Sequence, residues 1–227
     1  MKHKKRLVGM PYLAVAAGVA GYFFRTAQLS GGSKIPLIAF SILMALLFLL
    51  AAVSEEKTKT YAQMYRPVRA DLICSTLAGL ALFASGILTA LNDGVFFVLL
   101  GIVGAAGGAG LVAAAILRFR DKAPQAVLYV FAILFFVVKL FYDFRHWMID
   151  PAILDYCFLL FALIAFMLSI YHTAAFSFDR GSRRRLVFYA LCGVMFGVIS
   201  MVGGGRDELL VYGSGVLTCL GCAVQAL

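Results

Sequence analysis

Long apolar segments separated by short polar stretches constrain this chain more than any other feature. There are eight: residues 7–24, 36–53, 72–91, 95–116, 126–141, 151–176, 186–202 and 209–227. Each has about 16–26 residues, close to the roughly 20 that an α-helix needs to cross the hydrocarbon of a bilayer. Spanning β-strands would be shorter and would alternate apolar with polar residues. The sequence therefore predicts an all-α bundle of about eight transmembrane helices in a single domain, residues 1–227.

The composition agrees with lipid as the solvent of this chain. Hydrophobic residues make up 63% of it and charged residues 14%, whereas soluble domains are nearer half apolar and a quarter charged. The net charge of +9 raises the question of nucleic acid as a partner. We exclude nucleic acid, because the basic residues form short runs between apolar segments and no continuous basic face. The lipid bilayer is the predicted partner.

The distribution of Lys and Arg predicts the orientation of the spans. With the N-terminus inside, the outer side holds only five of the 20 basic residues: Arg25, Lys34, Lys139, Arg145 and Arg206. The others lie before the first segment or in the loops after the second, fourth and sixth. This alternation follows the positive-inside rule, under which cytoplasmic loops are rich in Lys and Arg. We expect both termini to be cytoplasmic.

Glycine pairs indicate where helices approach each other closely. Gly104 and Gly108 in the fourth segment, and Gly193 and Gly197 in the seventh, have the GxxxG spacing. Without side chains, such positions let two helix backbones come into contact within lipid. The spacing predicts helix packing, and it leaves open whether the contact lies within one chain or in a homo-oligomer.

An outer polar pocket is the candidate binding site. Lys139 lies in the last turn of the fifth segment and Asp155 about one turn into the sixth, so both are expected near the outer surface and close enough to pair. Arg25 and Tyr156 are expected at the same depth. The alternative is that Lys139 and Arg25 extend to the lipid headgroups, that Asp155 only extends a helix cap, and that no ligand binds.

The longest loop, Ser54 to Ala70, contains a short amphipathic pattern. Tyr61, Met64, Tyr65 and Val68 follow the spacing of one helix face, with basic residues on both sides. One interpretation is a helical piece lying on the inner leaflet, where anionic lipid attracts its basic residues. The other is a solvated loop that is basic because it is cytoplasmic.

No catalytic or cofactor motif appears in the sequence. Walker, GxSxG and HExxH patterns are absent. Cys219 and Cys222 form a CxxC within an apolar segment, with no second pair or nearby histidine to complete a zinc site. His146 and His172 are expected on opposite sides of the bilayer. We predict no metal and no cofactor, and the chemistry of the residues leans against an enzyme.

The stretch from Asp150 to Gly181, DPAILDYCFLLFALIAFMLSIYHTAAFSFDRG, resembles uncharacterised multi-pass membrane proteins of Gram-positive bacteria, and GYFFRTAQL near the end of the first segment is similar to the same group. The resemblance implies a bacterial plasma-membrane protein and no particular activity. Three hypotheses of function remain: a carrier or substrate-binding membrane subunit for a small polar molecule, a structural or regulatory subunit acting through helix contacts, and a membrane-embedded enzyme acting on lipid. The lack of a visible acid–base cluster argues against the third. The scarcity of charge in the middle of the spans argues against the first.

Overall fold

All regular structure in the computed structural model, which describes residues 9–56, 58–65, 67–147 and 153–227, is helical. The prediction of an all-α chain is confirmed. Eight long helices correspond one to one with the eight apolar segments: α1 (Met10–Leu29), α2 (Ile35–Ser54), α3 (Arg69–Ala90), α4 (Val95–Phe119), α5 (Val127–Trp147), α6 (Ile153–Ala175), α7 (Arg183–Ser200) and α8 (Arg206–Ala226). The described ranges also contain two short pieces, a helical turn at Tyr61–Met64 and a 3₁₀ turn at Phe176–Phe178.

Six of these helices are long and apolar enough to cross a membrane: Ile35–Ser54, Arg69–Ala90, Val95–Phe119, Val127–Arg145, Tyr156–Phe178 and Arg206–Ala226. A membrane protein is therefore supported. The other two long helices are less apolar for visible reasons, since α7 begins with three consecutive arginines and α1 contains Arg25 and Gln28 near its end. The count of eight spans stays a prediction.

The helix boundaries follow local chemistry. Pro11 and Pro36 are the second residues of α1 and α2, where a missing N–H costs nothing because the first-turn donors have no partner within the helix. Gly94 precedes α4 with φ of +120°, a backbone conformation that glycine adopts without a steric penalty. This glycine allows the tight hairpin between α3 and α4.

Five helices form a ring, in which α3 packs on α4, α4 on α5, α5 on α6, α6 on α8, and α8 on α3. Helix α7 lies against α6 and α8 from outside, and α1 and α2 pack on α7. Aromatic side chains fill the space between α5, α6 and α8, where Phe136, Phe166 and Tyr212 are almost completely buried. These side chains fill the space between α5, α6 and α8 in the middle of the bundle.

The loops gather at the two ends of the bundle as the alternating arrangement requires. One end, here called the basic end, brings together the 54–70 loop, the residues after α4, the residues after α6 and the end of α8, through bonds such as Tyr61 to Lys122 and Arg183 to Ala226. The opposite end contains the α3–α4 turn and the α7–α8 turn.

Candidate functional site

The register of the α3–α4 hairpin is set by glycines in direct backbone contact. A Cβ atom added at Gly86 would lie 2.7 Å from the carbonyl oxygen of Gly101, and one added at Gly108 would lie 2.5 Å from that of Gly79. Any side chain at these positions would force the two helices apart. The glycines therefore fix which residues of α3 face which residues of α4.

This register brings a buried ion pair together at the basic end. Asp71 is in the first turn of α3 and Arg118 in the last turn of α4, and both side chains are 5% exposed. Arg118 Nε donates to Asp71 Oδ2 at 3.0 Å, and Nη2 donates to Oδ1 at 3.1 Å. This two-bond geometry is the strongest form of an arginine–carboxylate contact.

Arg118 also donates to two neutral side chains. Nη2 donates to Ser75 Oγ at 2.8 Å, Nη1 donates to the Tyr129 hydroxyl at 2.9 Å, and the Tyr65 ring centroid lies 5.7 Å from the guanidinium carbon. We call Asp71, Ser75, Arg118, Tyr129 and Tyr65 the buried ionic cluster. Because an unpaired charge in this position would be very costly, the carboxylate and hydroxyl partners of Arg118 explain how the charge is tolerated.

A cavity of about 10 Å³ adjoins the buried ionic cluster, with Thr173, Thr218 and Cys222 in its wall. A cavity of that size holds at most about one water molecule. The cluster thus has the chemistry of a site but lacks the space for a solute. Its arrangement fastens α3, α4 and α5 together at the basic end.

The 54–70 loop closes the basic end over this cluster. Met64 and Tyr65 are buried, and the Tyr65 ring meets Phe176 edge to face with centroids 5.7 Å apart. The Tyr61 backbone N–H donates to Asp179 Oδ1 at 2.8 Å, and its hydroxyl donates to the Lys122 carbonyl at 3.2 Å. These buried members of the amphipathic pattern therefore face protein rather than a lipid leaflet or solvent.

Burial in the loop affects its titratable groups. It raises the pKa of the Tyr61 hydroxyl to about 12 and that of Tyr65 well above its ordinary value. Burial also raises the pKa of Glu55, against the opposing effect of Arg183, whose Nη2 lies 2.9 Å from Glu55 Oε2. Arg184 Nε donates to the Glu55 carbonyl at 2.7 Å.

At the opposite end, Lys139 pairs within its own helix. Its Nζ lies 3.0 Å from the Asp143 carboxylate, one turn further along α5. The sequence placed Asp155 in this role, and the Asp155 side chain lies outside the described residues, as do those of His146 and Trp147. The predicted Lys139–Asp155 contact therefore stays a prediction, and Asp143 is a carboxylate partner that sequence reasoning missed.

Lys139 lines a cavity of about 120 Å³ between the ends of α3, α4, α5 and α8, most of whose accessible wall is apolar. The other polar residues of the wall are Thr89, Asn92, Tyr142, Asp207 and Glu208. The charged residues of the wall are Lys139, Asp207 and Glu208, so the wall carries a net negative charge. We call this space the acidic cavity.

Arg25 and Tyr156 do not contribute to the acidic cavity. Arg25 is buried in α1, where its Nη1 donates to Gln28 Oε1 at 3.1 Å, and α1 packs mainly on α7 and α2. Tyr156 is half-buried near the start of α6. Of the three predicted pocket residues whose side chains the structure describes, Arg25, Lys139 and Tyr156, only Lys139 lines this cavity.

The four predicted packing glycines lie against helices of the same chain. A Cβ at Gly104 would be 2.8 Å from the Phe135 ring, and one at Gly108 would strike the α3 backbone. A Cβ at Gly193 would be 2.6 Å from Cys219 Sγ, and one at Gly197 would be 2.7 Å from the Phe166 ring. These contacts join α4 to α3 and α5, and α7 to α6 and α8.

The spacing of the two residues from the α3–α4 turn is the sequence signal for the buried ion pair. Asp71 and Arg118 lie at similar distances from the tight turn Asn92-Asp93-Gly94, so an antiparallel hairpin places them at a similar height. The rotation of each helix about its axis, which the sequence does not give, decides whether they face each other. The distribution of Lys and Arg by itself assigns Arg118 to the basic loop after the fourth segment.

Across the described ranges, no three His, Cys, Asp or Glu side chains come together as a metal ion would require. The chain matches no family model, no curated protein and no solved structure.

Proposed function

We propose that this chain is a multi-pass protein of the bacterial plasma membrane, with eight spans and with both termini and the basic end on the cytoplasmic side. The contacts of α7 support the count. Helix α7 packs along α6 and α8, and both of these helices have the length and composition of spans. If α6 and α8 cross the membrane, α7 lies at the same depth in it. Its lower apolarity is tolerable because protein, not lipid, surrounds most of it.

The proposed function is that of a carrier or substrate-binding membrane subunit for a small polar solute. The acidic cavity is the observation on which this rests. It combines about 120 Å³ of space with hydroxyl, amide and carboxylate groups at one end of the helix ring. The negative balance from Asp207 and Glu208 favours a solute with an ammonium group.

Asp155 belongs to the proposal as a further carboxylate near this end, because α6 packs directly on α5. Arg25 and Tyr156 are proposed to form the polar layer beside it, towards α1 and α7.

A binding assay on the intact protein tests the acidic cavity. We would measure the thermal midpoint of the detergent-solubilised chain with a panel of small ammonium solutes, from ethanolamine to lysine. At least one solute should raise the midpoint in a saturable way. The Asp207→Asn, Glu208→Gln double variant should abolish the effect, because it removes the negative balance of the wall.

Asp93→Asn provides the matched control, since Asp93 is exposed at the same end and does not line the cavity. It should respond to the solute as the wild type does. The proposal fails if no solute shifts the midpoint, or if all variants respond alike.

The alternative is a structural or regulatory subunit that acts through helix contacts. The filled space between α5, α6 and α8 favours it, because Phe136, Phe166 and Tyr212 leave a solute no room at that level. Purification from native membranes in mild detergent distinguishes the two. A stoichiometric membrane partner, together with no response to any solute, would support the alternative.

A further inference from the structure

A groove of about 480 Å³ lies between α2 and α7 at the basic end, away from the acidic cavity. One wall is the end of α2, with Leu49 and Val53, and the other is the first two turns of α7, with Phe188. Lys59, Arg184 and Arg185 surround its mouth. The volume falls within the roughly 300–1,000 Å³ of ligand sites.

The basic groups at the mouth lack carboxylate partners within the part of the chain that the structure describes. Arg183 takes the Glu55 carboxylate, whereas Arg184 bonds only to the Glu55 backbone carbonyl. Lys59 and Arg185 are both exposed. Three positive charges therefore converge on one opening without neutralisation, and a negatively charged ligand would be attracted to it.

The polarity of the groove changes along the helix axes. The basic residues lie at the end of the bundle, while Leu49 and Phe188 lie a turn or more further along their helices. A ligand that matches this gradient has an anionic head and an apolar tail. If the basic end faces the cytoplasmic leaflet, the groove also lies at the depth where a membrane lipid has its charged headgroup and the start of its acyl chains.

We propose that this groove binds a phospholipid with an anionic headgroup, with the phosphate at Lys59, Arg184 and Arg185 and an acyl chain along Leu49, Val53 and Phe188. Arginine recognises phosphate with several aligned donors, and basic pockets between spans bind anionic headgroups. Because α2 packs mainly on α7 and, less extensively, on α1, such a lipid would also strengthen the attachment of α2.

Native mass spectrometry of the whole chain in neutral detergent tests the charged part of the site, with phosphatidylglycerol as the probe. The Lys59→Gln, Arg185→Gln variant should bind the first lipid about 30-fold more weakly, from the typical contribution of two basic residues near a membrane surface. The control Arg120→Gln, Lys122→Gln removes the same charge from exposed positions at the same end. It should bind within about twofold of the wild type.

A second pair of variants tests the acyl-chain part. Val53→Trp fills the groove without changing its charge, and Leu50→Trp places the same side chain on the exposed side of α2, where Leu50 is 72% exposed. Only Val53→Trp should weaken phosphatidylglycerol binding.

Equal losses in the two charge variants would reveal diffuse attraction and overturn the site, as would unchanged binding in both. Complete displacement of the lipid by millimolar inorganic phosphate, together with normal binding to Val53→Trp, would indicate a phosphate site instead. None of these outcomes depends on the acidic cavity at the other end.

Discussion

At the scale of single residues, the informative groups are charges that lie inside the bundle. Arg118 and Asp71 are both buried, yet every oxygen of Asp71 is in a hydrogen bond with Arg118 or Ser75. Removing one partner of such a pair destabilises a protein far more than replacing both with apolar residues, because the remaining partner stays charged and buried. The buried ionic cluster therefore stabilises the protein only as long as both Asp71 and Arg118 are present.

We expect Asp71→Leu and Arg118→Leu each to lower the free energy of unfolding by about 3–5 kcal/mol, since each leaves an uncompensated charge. The double variant should lose clearly less than the sum of the two. Unfolding in mixed detergent micelles, analysed as a double-mutant cycle, measures this coupling.

Asp121→Asn is the control for this cycle. Asp121 is exposed just beyond α4 and has φ of +56°, a conformation that Asn tolerates. Its effect should stay within about 0.5 kcal/mol. Additive losses in the Asp71 and Arg118 variants would contradict the proposed interdependence.

At the scale of helices, close packing depends on positions without side chains. The α3–α4 hairpin is held at backbone contact by glycines from both helices, and α7 fits against α6 and α8 through Gly193 and Gly197. Helices in lipid gain little from burying apolar surface against one another, so close backbone approach supplies much of their attraction. Small residues therefore decide which helices become neighbours.

Gly108→Ala should destabilise the protein by about 1–3 kcal/mol, as overpacking usually does. The new Cβ would lie 2.5 Å from Gly79 O and from Phe83 N, both backbone atoms that cannot rotate away. Gly213→Ala in α8 is the matched control, because its Cβ would meet only the Met201 methyl at 3.8 Å. The control should be neutral or stabilising by up to about 1 kcal/mol.

Thermal unfolding followed by tyrosine and tryptophan fluorescence measures both glycine variants. An equal response of Gly108→Ala and Gly213→Ala would show that the hairpin relaxes easily and that the glycines do not set its register.

At the scale of the whole molecule, a five-helix ring is extended on one side by α7, and then by α1 and α2. Large apolar side chains cover its outside, and the basic loops meet at one end. The proposed orientation would put that end in the cytoplasm.

Two exposed aspartates at opposite ends of the bundle test the orientation. In a background with the native cysteines replaced by alanine, Asp93→Cys should react in intact cells with a maleimide reagent that does not cross membranes. Asp121→Cys should react only after the cells are permeabilised, because it belongs to the basic end. The reverse pattern would invert the proposed topology, and the acidic cavity would then face the cytoplasm.

The positions of the eight helices, and the preference of the chain for lipid, could be predicted from the sequence alone. Both depend on the length of an apolar run relative to the thickness of hydrocarbon, and that comparison needs no knowledge of neighbouring helices. The GxxxG pairs indicated close contacts by the same kind of local reasoning. They did not indicate the partners, which are α3 and α5 for Gly104 and Gly108.

Only the tertiary structure decided which polar groups meet. Arg118 turns inward to Asp71, Lys139 pairs with Asp143, and the Tyr61–Tyr65 piece packs onto protein. Each outcome depends on how a helix is rotated about its axis and on what its neighbour presents at that height. The pattern of apolar residues along the chain carries little of that information, because a helix that is apolar on all sides has no polar face to show which side turns towards its neighbours.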